Sequence, residues 1–178
     1  MTIIEQMERI GFLINWTLIY IGYEGRLWLK PLLGIQDICD YALGLLERMT
    51  SGYILVAQLI TEQKSAYDFE DTLKTLARLE TVSADLQLRK WRVYLVDERL
   101  KTLSTDYFEG LIELTELWLG LGDIKDCPHI IRGINNNYSP NEYYTKNMYE
   151  YLVEKNKDWL AREIRSICSN ERRENSLI

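Results

Sequence analysis

A set of four carboxylates recurs at helical spacing in one segment of the chain. Intervals of three, four and three residues separate its members: Asp106, Glu109, Glu113 and Glu116. On a helix, they fall within an arc of roughly 80°, and we call them the acidic strip. Asp123 and Asp126 follow a short distance further on. Clustered carboxylates can hold a hard divalent metal ion or present negative charge to a cationic partner.

The segment from 102 to 128 carries most of the net charge of the chain. It contains six acidic residues against one lysine, a net charge of −5, whereas the whole chain carries −6. Apolar residues such as Leu111, Leu114 and Trp118 occupy much of the rest of the helical circle, so we predict a largely buried helix with one acidic edge. Such an edge either balances basic residues of the same fold or meets a basic partner.

Metal-dependent hydrolysis is one chemistry that these carboxylates permit. Glu113-x-x-Glu116 and Asp123-x-x-Asp126 are similar to the paired carboxylates that hold magnesium in all-α nucleotide pyrophosphohydrolases. In that family the two halves lie on separate facing helices, whereas here only six residues separate them. The four groups can scarcely converge on one ion. We therefore keep a metal-dependent nucleotide pyrophosphohydrolase only as the alternative hypothesis for the function.

Nucleophilic catalysis has few residues to draw on. His129 is the only histidine, and Cys127 lies two positions before it, across Pro128. Side chains at i and i+2 do not face each other on a helix, so we expect His129 to cap or pack in a loop. Cys39, Cys127 and Cys168 lack any CxxC spacing, which is typical of reduced thiols. We therefore expect no catalytic residue, no metal and no cofactor.

Composition restricts the classes of partner. The chain has 178 residues, of which 47% are hydrophobic and 27% charged, as in soluble globular proteins. Its pI of about 5.0 argues against direct binding of nucleic acid or of an anionic membrane. The apolar segment 10–23 is too short to span a bilayer, and the residues before it lack the features of a signal peptide. We expect a cytoplasmic protein.

Helical periodicity runs through nearly the whole chain. The segments 2–5 (TIIE) and 139–142 (SPNE) have the pattern of a helix start with a capping box, and we expect the second to open a last helix that runs to about residue 172. The stretch 15–30 contains two glycines that interrupt the pattern and permits a minor strand.

These patterns predict an all-α fold. We expect a single domain over residues 1–178, built as a bundle of about seven to nine helices, with a frayed tail at 173–178.

The predicted helix before the acidic strip carries Arg92, Arg99 and Lys101. If the two helices form an antiparallel hairpin, these cations lie beside the carboxylates as surface ion pairs, each worth about 0–1 kcal/mol. The alternative is that the strip stays partly unpaired and meets a cationic partner.

The order of several landmarks resembles a known bacterial family. These landmarks are a helix centred on Trp91, Glu109-Gly110-Leu111, Glu116-Leu117-Trp118, His129-Ile130-Ile131-Arg132 and Trp159. The family comprises small bacterial proteins with a domain of unknown function. This chain departs from its pattern at Pro128, which comes late, and at 133–136, which replaces a proline-rich stretch. The match covers the C-terminal half of the chain. The N-terminal half shares only the helical periodicity of the family.

The resemblance implies a binding function. Several proteins of this kind are taken to be immunity proteins of contact-dependent growth inhibition and other polymorphic toxin systems, whose toxins are often ribonucleases. It implies a non-enzymatic antidote that binds its cognate toxin domain as a heterodimer and occludes the active site. An acidic surface would complement the cationic site of such a toxin. We predict that the partner-binding residues are Asp106, Glu109, Glu113, Glu116, Asp123 and Asp126.

Overall fold

The computed structural model describes residues 1–48, 54–61, 66–122 and 126–175. Within these ranges the chain forms nine helices and no strand, which confirms the all-α fold and the expected number of helices. In chain order they are α1 (Ile3–Ile10), α2 (Trp16–Glu24), α3 (Ile35–Leu46), α4 (Ile54–Thr61), α5 (Ala66–Arg78), α6 (Ala84–Thr102), α7 (Tyr107–Gly120), α8 (Pro140–Tyr143) and α9 (Lys146–Asn175). No helix in the described part of the chain is both long and apolar enough to cross a membrane.

Contacts group the chain into two compact units. The first comprises Met1–Trp91 and Asn170–Ile178, and the second comprises Arg92–Ser169. The helices α6 and α9 each contribute residues to both units. A single domain over residues 1–178 therefore stays a prediction.

The core of the first unit is built around Trp91. Its side chain is fully buried, and its indole N–H donates to the carbonyl oxygen of Leu18 at 2.9 Å. A Cβ atom at Gly22 of α2 would lie 2.1 Å from Cζ2 of Trp91, so the glycine makes room for the indole. Around this contact α2 packs on α5, α5 on α4, and α4 on α3.

The stretch 15–30 is mainly helical, and the minor strand that the sequence permitted there does not form. The Asn15 side chain caps α2 by accepting the N–H of Leu18 at 2.8 Å. After the helix, only an isolated antiparallel bridge joins Arg26 and Leu29. Burial of the apolar α2 side chains and the asparagine cap outweigh the cost of a glycine inside the helix.

The first unit contains a buried ion pair. Lys90 has no exposed surface and pairs with the carboxylate of Glu171. The Lys90 ammonium also donates to the Leu13 carbonyl oxygen at 2.7 Å, and Glu171 accepts the Leu13 N–H at 3.2 Å. The pair thus satisfies both backbone groups of Leu13 in the turn between α1 and α2.

Both capping boxes form as predicted, but the last helix is interrupted. Thr2 caps α1 and Ser139 caps α8, each with a glutamate three residues on. Helix α8 ends at Tyr143 because Tyr144 leaves the helical backbone region, with φ −81° and ψ 66°. The hydroxyl of Thr145 then accepts the N–H of Met148 at 3.2 Å and caps α9.

The frayed tail predicted for residues 173–178 overlaps the last helix. The backbone of α9 remains helical to Asn175, and residues 176–178 lie outside the described part of the chain.

Candidate partner-binding surface

The turn between α6 and α7 is held together by Ser104. Its backbone N–H donates to Glu113 at 3.2 Å and its hydroxyl donates to Glu109 at 3.0 Å. The hydroxyl oxygen also accepts the N–H of Asp106 at 3.2 Å, and the Ser104 carbonyl oxygen accepts the Tyr149 hydroxyl at 2.8 Å. Two carboxylates of the acidic strip are therefore hydrogen-bonded to the turn that precedes their own helix.

Asp106 caps α7. Its Oδ1 accepts the N–H groups of Phe108 at 2.9 Å and Glu109 at 3.0 Å. Such a cap contributes about 1 kcal/mol, and its negative charge is favoured at a helix N-terminus. The first member of the acidic strip thus has a structural role, although its side chain stays exposed.

The expected ion pairs across the turn form only in part. Arg99 Nη1 lies 3.8 Å from Glu113 Oε2, and both side chains are partly exposed, so the pair contributes under about 1 kcal/mol. Lys101 does not reach the strip. It pairs with Asp97 at 2.6 Å and Glu98 at 2.8 Å on its own helix, and its hydrogen bonds to these carboxylates raise its pKa.

The remaining predicted residues differ in their surroundings. Glu116 is exposed on α7, beyond the hydrogen bonds of the turn, and no ion pair joins it to another described residue. Asp126 is also exposed and begins the next described segment. Asp123 lies outside the described residues. The structure therefore gathers Asp106, Glu109 and Glu113 at one turn and leaves Glu116 further along the same helix.

The alternative metal site receives no support from the described residues. Among them, no group of three or more His, Cys, Asp and Glu side chains lies close enough to hold a metal ion. Glu113 is engaged by Ser104 and Arg99, and Asp123, which the site would need, lies outside the described part of the chain.

Asp126 lines a cleft of mixed charge, which sequence reasoning missed. The cleft has a volume of about 530 Å³, and its walls include Asp126, Lys155, Asp158, Trp159 and Arg162. Two cations of α9 therefore share a surface with the predicted acidic flank. No sequence signal placed them there, because the path of the chain from α7 to Asp126 could not be derived from spacing.

His129 packs in its loop, as predicted. Its ring is 6% exposed, and Nε2 lies 2.9 Å from the Thr115 hydroxyl and 3.3 Å from the Tyr143 hydroxyl. Burial lowers the pKa of the ring to about 4. The Cys127 thiol donates to the backbone carbonyl oxygen of His129 at 3.5 Å instead of contacting the ring, and burial raises its pKa. This geometry does not make a thiolate–imidazolium pair.

A second cleft, which we call the loop cleft, lies beside His129. It has a volume of about 670 Å³. Its lining is mostly apolar and includes Trp118, Leu119, His129, Ile130, Ile134 and Tyr138. The sequence did not indicate this cleft, because its walls come from the end of α7 and from residues 127–138, and spacing alone does not show that these segments meet.

Gly110 and Trp118, two landmarks of the family pattern, have packing roles in the second unit. A Cβ atom at Gly110 would lie 2.5 Å from Cε2 of Tyr149 and 3.0 Å from the Ser104 carbonyl oxygen, so the glycine allows the turn to close. Trp118 donates to the buried side-chain oxygen of Asn156 at 2.6 Å and meets Trp159 edge to face, with ring centroids 5.1 Å apart.

Comparison with known proteins agrees with this pattern. The model of a bacterial family described as "Uncharacterized protein conserved in bacteria (DUF2247)" matches residues 4–164. The chain therefore belongs to this family. No curated protein and no solved structure matches the chain.

Proposed function

We propose that this protein is a cytoplasmic immunity protein that binds a cognate toxin domain, expected to be a basic ribonuclease, and occludes its active site. One observation carries the proposal: the carboxylates on and beside α7 exceed the cations available to them. Among the described residues, only Arg99 lies within ion-pair distance of the acidic strip. The excess is consistent with a surface that meets a cationic partner.

In this proposal, some carboxylates have structural roles and others contact the toxin. Asp106 accepts a backbone N–H at the start of α7, and Glu113 accepts the N–H of Ser104 in the turn before the helix. The exposed carboxylates of Glu109 and Glu116 would contact the toxin, with Asp123 and Asp126 as a flank. Carboxylates in the place of RNA phosphates would speed association and disfavour uncharged partners. The complex is a heterodimer that involves neither nucleic acid nor a membrane directly.

Growth protection tests this function. The C-terminal domain of a large secreted protein encoded beside this gene would be expressed in a bacterial host, with and without the present chain. We expect the domain alone to stop growth and co-expression to restore it, with a one-to-one complex recovered on sizing. A toxic neighbouring domain that neither binds this protein nor loses its toxicity would contradict the proposal.

Matched charge reversals then test the surface. Glu116→Lys reverses a carboxylate on the proposed surface, and Asp71→Lys makes the same change in charge at an exposed position of α5, in the other unit. We expect about a tenfold or greater loss of toxin affinity for the first variant only, because a like charge at the interface is repulsive. Equal affinity of both variants would remove Glu116 from the interface.

A further inference from the structure

The hydrogen bonds around His129 determine which ring nitrogen carries the proton. The Thr115 hydroxyl donates its one hydrogen to the Leu111 carbonyl oxygen at 2.8 Å. The Tyr143 hydroxyl donates its one hydrogen to the Ile130 carbonyl oxygen at 2.6 Å. Both hydroxyl groups can therefore only accept from the imidazole, so Nε2 is the protonated nitrogen and Nδ1 holds a bare lone pair.

That lone pair is a buried and unused acceptor. Nδ1 has almost no accessible surface and no hydrogen-bond partner among the described residues. A buried polar atom without a partner destabilises the protein, so a ligand that supplies a donor to this atom is favoured. His129 is itself part of the wall of the loop cleft, and the volume of the cleft is large enough for a ligand.

The rest of the lining restricts the ligand. Among the residues that the structure describes, those that line the loop cleft carry no charge, so they offer an ionic ligand no counter-charge for its lost hydration. The Asn136 side chain is already engaged: its amide donates to the carbonyl oxygens of Ile131 and Ile134, each at 2.7 Å, and accepts the N–H of Gly133 at 3.2 Å. Leu119 and Ile134 are 58% and 51% exposed, so the rim of the cleft presents apolar surface to a ligand.

We propose that the loop cleft binds a neutral aromatic group with a single ring N–H, of which indole is the simplest example. The ring would pack against Trp118 and Ile130, and the N–H would donate to Nδ1 of His129. Because Nδ1 is covered, the wall of the cleft adjusts as the ligand enters, and rotamer changes of this kind are common at binding surfaces. The ligand is either a free small molecule or the tryptophan side chain of a partner.

The only histidine of the chain makes this proposal directly measurable. With ¹⁵N-labelled histidine, the imidazole signals in a spectrum of the full chain belong to His129. We expect the free protein to show a protonated Nε2 and a bare Nδ1. Titration with indole should move the Nδ1 signal towards that of a hydrogen-bonded nitrogen, in a saturable manner. The control compound 1-methylindole has no N–H donor. It should bind more weakly and leave the Nδ1 signal unchanged.

Two variants distinguish binding of indole in the loop cleft from nonspecific binding elsewhere on the protein. Ile134→Asp places a charge on the exposed rim, where it does not disturb the core, and should abolish indole binding. His129→Phe keeps an aromatic ring but removes the acceptor, and should make indole and 1-methylindole bind equally.

The second probe, N-acetyltryptophanamide, distinguishes the sources of the ligand. Binding of this amide and of indole alike supports a partner tryptophan, and binding of indole alone supports a free small molecule. The proposal is overturned if the wild-type protein shows a protonated Nδ1, or if indole causes no saturable change up to its solubility limit. These outcomes do not depend on a toxin, so the two proposals can fail separately.

Discussion

Ser104 shows how a single residue can account for the position of several others. It binds Glu109 and Glu113 through its hydroxyl and its N–H, and Tyr149 through its carbonyl oxygen. The carboxylates that the sequence marked as a binding surface therefore have a second role in closing the turn before α7. A variant at Glu113 would disturb this turn as well as any interface, which is why Glu116 is the better probe of binding.

The Tyr149 hydroxyl tests this turn. Tyr149→Phe removes only its hydrogen bond to the Ser104 carbonyl oxygen and should lower the free energy of unfolding by about 1 kcal/mol. Tyr151→Phe on the same helix, at an exposed position, is the control and should change stability little. Chemical denaturation measures both. Equal stability of the two variants would show that the hydrogen bond contributes nothing.

The pKa of His129 predicts a pH dependence. Burial lowers this pKa from 6.5 to about 4, so the unfolded chain takes up a proton at a higher pH than the folded one. The contribution of His129 to the free energy of unfolding is fully present above about pH 6.5. It declines as the pH falls from 6.5 towards 4 and is lost below about pH 4. The loss amounts to roughly 3 kcal/mol. Proton NMR of the single imidazole gives the midpoint directly, and a midpoint near 6.5 would contradict the buried site.

At the scale of elements, Gly110 and Gly120 provide a matched pair on α7. Gly110→Ala would bring a methyl group 2.5 Å from the Tyr149 ring and should cost about 1–3 kcal/mol. Gly120→Ala meets no atom within 4 Å and should leave stability equal or slightly higher, because alanine is the better helix former. Thermal unfolding compares them. A stable Gly110→Ala protein would mean that the turn is loosely packed.

Helix starts were predictable from sequence, and helix interruptions were not. The capping boxes at Thr2 and Ser139 depend on side chains three residues apart, so local pattern was enough. The break after Tyr143 lies where Tyr144 takes φ −81° and ψ 66°, and no side-chain pattern of this local kind marked it. The minor strand that the sequence permitted near residues 15–30 does not form, since Gly22 is a contact site for Trp91 within α2 and not a helix breaker.

For the whole molecule, the buried pair of Lys90 and Glu171 links residues far apart in the chain. Glu171→Ala would leave the buried ammonium of Lys90 without the carboxylate that it faces, and should lower stability by about 3–5 kcal/mol. Arg172→Ala, at the exposed neighbouring position, should change it little. Urea denaturation distinguishes them. If Glu171→Ala is as stable as Arg172→Ala, the pair does not hold the first unit together.

The candidate site was predictable only in its charge. Counting residues identified the acidic excess and the helix that carries it, because both follow from local sequence. The hydrogen bonds of Ser104, the cations Lys155 and Arg162 beside Asp126, and the loop cleft all depend on how distant segments meet. Lys101 shows the same limit, since it pairs within α6 and not with the strip.

The affinity of this protein for its toxin domain, measured by calorimetry at several salt concentrations, tests the central claim most directly. We expect affinity to fall steeply as salt rises, because exposed carboxylates attract a cationic site through a screened interaction. Glu116→Lys should weaken binding at low salt and flatten the dependence, while Asp71→Lys should keep the wild-type slope. Tight binding that is independent of salt and unchanged by Glu116→Lys would contradict an acidic inhibitory surface.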